Sequence, residues 1–192
     1  MTDILLIITA YLVGSFPSAY LVGRIFNKGD IRKQGSGNVG AMNTYRVAGL
    51  LPGIITVILD ILKGVLPVAL ALTFTGNQAV IFACGILAVL GHNYSIFLRF
   101  KGGKGLATTF GVFIVLSPLT IVFTAIVAVV LGLLLKDANT AFGSAALSIP
   151  VILWFQYGQL NWVIFGLLAA VIIVIRHIPD YRAYLGGRRK LR

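Results

Sequence analysis

Two short stretches of this sequence carry residue types suited to holding phosphate. In RKQGSGNVGAMNTYR, Arg32 to Arg46, the glycines Gly35, Gly37 and Gly40 have the spacing of a dinucleotide-binding loop. Glycines let backbone N–H groups converge on an anion, Ser36, Asn38 and Asn43 add neutral polar groups, and Arg46 adds a bidentate fork. In RFKGGKGLATTFG, Arg99 to Gly111, the cations Arg99, Lys101 and Lys104 interleave with Gly102, Gly103 and Gly105. Thr108 and Thr109 follow where a helix is expected to start, and a helix N-terminus favours an anion. A dinucleotide site needs a strand before its glycines and a βαβ unit around them, and the GxxxxGK[ST] spacing of a P-loop is absent.

Four more residues stand out. Asp60 and Lys63 lie inside an apolar run at i, i+3 spacing, on one helix face, and each would cost about 2.5 to 3.5 kcal/mol unpaired at a bilayer centre. They are therefore expected to pair inside the bundle near the loops. His92 in LGHNYSIF and His177 in VIRHIPDYR sit near the ends of apolar runs beside basic residues. Imidazoles at that depth suit hydrogen-bond donation to an oxyanion or phosphate, or proton acceptance. The sequence has no GxSxG elbow, no Cys/His pairing and no HExxH, so covalent and metal catalysis are disfavoured and no metal or cofactor is expected.

The elements that must position these residues are membrane helices. The 192-residue chain is 58% hydrophobic, with a mean hydropathy of +0.97, and its apolar runs approach the length of about 20 residues that crosses a bilayer. Spans are predicted near Ile4–Gly23, Leu51–Phe74, Ala79–Leu98, Ala141–Phe155 and Trp162–Ile175. Residues 105–135 as one helix would be roughly 46 Å long, against a hydrocarbon core of about 30 Å. Ser117-Pro118 offers a break. Split there, the chain has seven spans, and every Lys and Arg except Lys63 falls on one side, as the positive-inside rule requires. The N-terminus is then outside and the C-terminus cytoplasmic. The net charge of +11 is read against an anionic membrane face, not nucleic acid. The single Cys84 is expected to be a small buried hydrophobe, and Trp154, Tyr157 and Trp162 an interfacial aromatic belt.

GSGNVGAMN, GHNYSIFLRFKGGKGLAT and RHIPDYRAYLGG occur in this order, with DILKG between the first two. Over essentially the whole chain these resemble the bacterial acyl-phosphate:glycerol-3-phosphate acyltransferase family (PlsY-type). The resemblance implies an all-α integral membrane protein, with residues 1–192 forming one polytopic acyltransferase domain whose active site lies at the cytoplasmic face of the bacterial inner membrane. It implies glycerol 3-phosphate, fatty acyl phosphate and membrane lipid as partners, with a functional link to the enzyme that makes acyl phosphate. The implied products are lysophosphatidic acid and inorganic phosphate, in the first step of phospholipid synthesis.

Residue by residue, the resemblance places His177, Lys104, Asn38 and Ser36 in the catalytic group. Lys104 and Arg46 would bind phosphate, aided by Ser36 and the N–H groups of Gly37, Gly102 and Gly103. Gly35, Gly40, Asn43, Asp60, Lys63, His92, Lys101, Gly105, Thr108, Ser144 and Asp180 would complete substrate binding. The sequence departs from the family at Met42, where Thr is usual, at Asp180, where Asn is usual, and near Arg189, where Glu is usual. It also lacks some of the serines the family places around Thr140, Gly143 and Ser144. A carboxylate at Asp180 repels phosphate unless paired, with Arg176 or Arg182 as candidates. The rival readings are a small-anion transporter, which would place its site at the midplane of repeated halves, and a lipid-binding protein using the terminal GGRRKLR. The crowding of polar residues at the inner face favours the enzyme.

Overall fold

The computed structural model describes residues 1–187; Arg189 and the rest of the terminal RRKLR lie outside the described residues. All regular structure among those described is helical. In chain order the helices are α1 (Thr2–Ser15), α2 (Ser18–Ile25), α3 (Ala41–Ala48), α4 (Leu50–Phe74), α5 (Gln78–Asn93), α6 (Leu106–Leu116), α7 (Pro118–Leu135), α8 (Ala138–Ala145), α9 (Ile149–Tyr157) and α10 (Leu160–Leu185). Among the described residues, six stretches are long and apolar enough to cross a membrane: Thr2–Ile25, Leu50–Phe74, Gln78–Leu98, Pro118–Leu135, Ala138–Tyr157 and Leu160–Leu185. The protein is an all-helical, multi-pass integral membrane protein.

The break at Ser117-Pro118 is present. Ser117 is non-helical, with φ −159° and ψ 77°, and Pro118 opens α7, where its missing N–H costs nothing. This leaves α6 with 11 residues, about 16 Å of helix. The first span differs from the continuous helix expected, because Pro17 ends α1 and starts α2. The fifth begins at Ala138 and is interrupted by a 3-10 turn at Ala146–Ser148. The last runs to Leu185, well past Ile175, with Pro179 accommodated inside it.

The chain folds as two compact units, Met1–Leu116 and the segment from Ser117 onward. In the first, helices approach closely because small residues line their crossings. A Cβ at Gly64 would collide with the Thr108 carbonyl and one at Gly111 with the Ile61 carbonyl, so α4 and α6 pack backbone to backbone. Gly14 and Gly91 do the same for α1 and α5, against the carbonyls of Ala88 and Tyr11. Lipid gives no hydrophobic drive between helices, so such close van der Waals fits hold the bundle. Cys84 is fully buried in α5.

In the second unit, α7 leads to α8 through Lys136 in the left-handed region and Asp137, whose Oδ1 accepts the Thr140 N–H at 2.7 Å. Leu133, 74% exposed, and Phe155, 83% exposed, present apolar surface to lipid. Of the aromatic belt, Trp154 is half exposed, but Trp162 is buried. It stacks on Tyr157 with centroids 3.9 Å apart and meets Phe165 edge-on, closing the α9–α10 turn.

Candidate functional site

The first Gly-rich loop is pinned by Asn43, which is buried in the first turn of α3. Its Nδ2 donates to the carbonyls of Ile31 (3.0 Å) and Gln34 (3.2 Å), and its Oδ1 accepts from the Ser36 N–H (2.8 Å) and hydroxyl (3.1 Å). Asn43 thus shapes the loop with all of its hydrogen-bonding groups. Gly35 is required beneath it: its φ is +57°, and a Cβ there would strike the Asn43 Oδ1. The loop's other end is fastened by Asp30, which takes the Arg32 N–H at 3.0 Å and the guanidinium at 2.7 Å. The guanidinium carbons of Arg24 and Arg32 each lie over the Tyr20 ring, 5.4 and 5.1 Å from its centroid.

The Arg32 hydrogen bond holds the Asp30 carboxyl at about 2, below its ordinary 3.8. A depressed carboxyl stabilises the loop fully above the unfolded value and loses that contribution as pH falls through the folded one. A 13C titration of Asp30 in the intact chain should therefore have its midpoint near 2. A midpoint near 3.8 would mean that the fork does not persist in solution.

The second loop is strapped to the end of α5. The Gly102 N–H donates to the Asn93 carbonyl and the Gly103 N–H to the His92 carbonyl, both at 3.1 Å. A Cβ at Gly102 would fall on the His92 carbonyl, and one at Gly103 would meet His92 Nε2 and come within 2.7 Å of the Val39 carbonyl. Gly105, with φ +85°, lies against the carboxamide of fully buried Asn93. Lys104 is half-buried between two fixed glycines. Val39 belongs to the first loop, so the two Gly-rich loops meet beside His92.

On the other side of His92 is a buried polar network. Asp60 Oδ1 accepts the Ser18 hydroxyl at 2.5 Å and Lys63 Nζ at 2.8 Å; Lys63 Nζ also donates to Ser18 Oγ at 2.8 Å. His92 Nδ1 stands 3.5 Å from the same carboxylate oxygen. The expected pairing of Asp60 with Lys63 is therefore present, with Ser18 closing the triangle.

In the second unit, His177 is completely buried on α10, and its Nδ1 lies 2.8 Å from the Ile173 carbonyl. A carbonyl only accepts, so Nδ1 carries a proton, and in the neutral ring the lone pair is on Nε2. Gly143 of α8 packs against this histidine: a Cβ there would come within 2.7 Å of the His177 ring and 2.6 Å of the Tyr181 hydroxyl. Tyr181, one turn beyond His177, thus sets its hydroxyl against the same glycine of α8. Asp180 is buried on the same helix.

The backbone groups expected to meet phosphate have partners within the protein in this structure. The N–H groups of Gly37, Gly102 and Gly103 were to meet phosphate, yet each is already donated: Gly37 to the Gln34 carbonyl at 3.0 Å, and the other two to α5. Here glycine is needed because backbone and imidazole occupy the space of a side chain. Ser36 and Arg46 are exposed, as is Lys101, while Asn38 is partly buried, Gly40 is buried and Thr108 lies fully inside α6.

Comparison with known proteins matches residues 4–187 to the family model described as glycerol-3-phosphate acyltransferase. The chain belongs to this family. It is 39% identical over 186 residues to the glycerol-3-phosphate acyltransferase of Syntrophotalea carbinolica, covering 95% of this chain and 94% of that one. It also superposes on two crystal structures of PlsY (YgiH), an integral membrane glycerol 3-phosphate acyltransferase. For the glycerol 3-phosphate form the TM-score is 0.90, and for the lysophosphatidic acid form 0.87; each has 33% identity and covers 98% of this chain and 94% of the other.

Within this acyltransferase-family chain, three residues of the networks escape a motif reading. Ser18 follows Pro17 in an apolar run, and only that proline break hints at a polar role. Asn93 stands next to His92 in the quoted motif. Tyr181 follows His177 by four residues, the spacing that puts both on one helix face.

Proposed function

We propose that this chain transfers an acyl group from a fatty acyl phosphate to the 1-hydroxyl of glycerol 3-phosphate, releasing lysophosphatidic acid and inorganic phosphate. Full-length membership in the glycerol-3-phosphate acyltransferase family carries this reading, and the meeting of two phosphate-suited loops beside His92 supports it. The hydroxyl oxygen bonds to the carbonyl carbon as the carbon–oxygen bond to phosphate breaks, and the hydroxyl proton passes to a phosphate oxygen of the substrate. Acyl phosphate is already activated, so alignment and charge neutralisation are the main demands on the protein. Lys104 and Arg46 bind phosphate, with Ser36 and Asn38 on the first loop. His177, buried on α10, is assigned by the resemblance to orienting glycerol 3-phosphate or its hydroxyl.

We place this chemistry at the cytoplasmic face of the bacterial inner membrane, with α6 as a short seventh crossing, the N-terminus outside, and acyl phosphate supplied by the enzyme that makes it. The charge distribution supports that topology. Cysteine at Asn77 should react with a membrane-impermeant maleimide applied to intact cells, and cysteine at Lys136 only after permeabilisation. Labelling of position 136 from outside would remove α6 as a crossing.

The activity itself is tested with purified protein, labelled glycerol 3-phosphate and either acyl phosphate or acyl-CoA. Lysophosphatidic acid formed from acyl phosphate alone is the expected result. Product from acyl-CoA would overturn the donor assignment, and no product from either donor, with folded protein, would overturn the activity.

A further inference from the structure

We propose that Ser18, Asp60, Lys63 and His92 form a buried brace that fixes the second Gly-rich loop, positioning Lys104 without touching substrate. An ion pair inside a membrane helix is costly to place, and one replaced by apolar residues is often no less stable, so its presence calls for a role other than stability. The pair's own hydrogen bonds argue against ligand binding. Lys63 Nζ, on a side chain 6% exposed, already donates to Ser18 and Asp60, and one carboxylate oxygen receives both donors.

The network leads in one direction. Its members come from α2, α4 and α5, so it ties three helices at one point. From Asp60 the next contact is His92 Nδ1 at 3.5 Å. The opposite edge of the ring, Nε2, occupies the space where a Gly103 side chain would be, and the His92 carbonyl holds the Gly103 N–H. Lys104 is the next residue. The imidazole is thus a wall between a fixed carboxylate and the loop, and with Gly105 set against Asn93 the loop has little slack on either side of Lys104.

Amide hydrogen exchange at Gly102 and Gly103 in the purified full chain tests the brace without reference to activity. His92→Leu should speed exchange there by about tenfold or more while Gly85 and Ala88 in the middle of α5 stay protected. The double variant Asp60→Leu/Lys63→Met, which leaves no lone buried charge, should do the same. His92→Asn keeps a donor toward Asp60 and should recover part of the protection. Unchanged exchange at Gly102 and Gly103, or uniform speeding that includes Gly85 and Ala88, overturns the proposal.

A kinetic arm rests on the acyltransferase reading. His92→Leu should raise KM for glycerol 3-phosphate about tenfold with a smaller change in kcat, and should add little in a Lys104→Ala background. Full additivity with Lys104→Ala would show that His92 does not act through that lysine. If the unsubstituted chain makes no lysophosphatidic acid, the enzymatic reading fails while the exchange measurement still decides the brace.

Discussion

Replacing Lys104 by alanine should lower kcat/KM for glycerol 3-phosphate by about 10- to 100-fold, the loss of one charge-assisted hydrogen bond worth about 1.5 to 3 kcal/mol. The size follows from where the lysine sits. It is half-buried, so its charge is less screened than those of exposed Arg99 and Lys101, and its backbone lies between Gly103 and Gly105, each fitted against α5. A phosphate held by a fixed ammonium gains more than one met by a lysine searching many rotamers, because less ordering remains to be done on binding. Lys104→Arg should recover only part of the loss, since a planar fork does not present the same point charge from the same position. Initial rates with labelled substrate below KM decide it. Near-normal turnover of the alanine variant at low glycerol 3-phosphate would remove Lys104 as the phosphate clamp.

Much of this site was legible in the sequence, and what was hidden was hidden for physical reasons. The pairing of Asp60 with Lys63 followed from i, i+3 spacing and the cost of an unpaired charge in lipid. The break at Ser117 followed from proline geometry and membrane thickness. Both are local constraints that any tertiary context must respect. Ser18 was not legible, because its role depends on Pro17 splitting the first span so that α2 brings a hydroxyl to a carboxylate 42 residues away. The glycines were recognised by type and spacing, and the structure adds a use the spacing does not show. A GxGxxG or GGKG pattern says that backbone must come close to something; it does not say whether that something is a ligand or the carbonyl of another helix. In Gly102 and Gly103 it is the end of α5. The length of α10 was underestimated because Arg176, His177, Asp180 and Arg182 interrupt hydropathy without interrupting the helix, whose buried face includes His177 and Asp180.

Gly102→Ala should cost at least tenfold in kcat/KM while leaving a folded, purifiable membrane protein. The new Cβ would sit on the His92 carbonyl oxygen and within 2.8 Å of Asn93 backbone carbon and oxygen. These are backbone atoms at the end of a 16-residue helix, so no side-chain rotation can relieve the contact. Overpacking of this kind costs about 1 to 3 kcal/mol, and the loop can escape it only by giving up its bonds to α5. That carbonyl also accepts the Gly103 N–H, so a shift large enough to admit the methyl loosens the residue beside Lys104 as well. Gly76→Ala is the matched control: nothing lies within 4 Å of its Cβ position, and activity should be unchanged. Acyl-transfer rates, with thermal unfolding to confirm the fold, separate the cases. If Gly102→Ala were as mild as Gly76→Ala, the loop would not be clamped to α5 in the working protein, and its N–H groups would be available to phosphate after all.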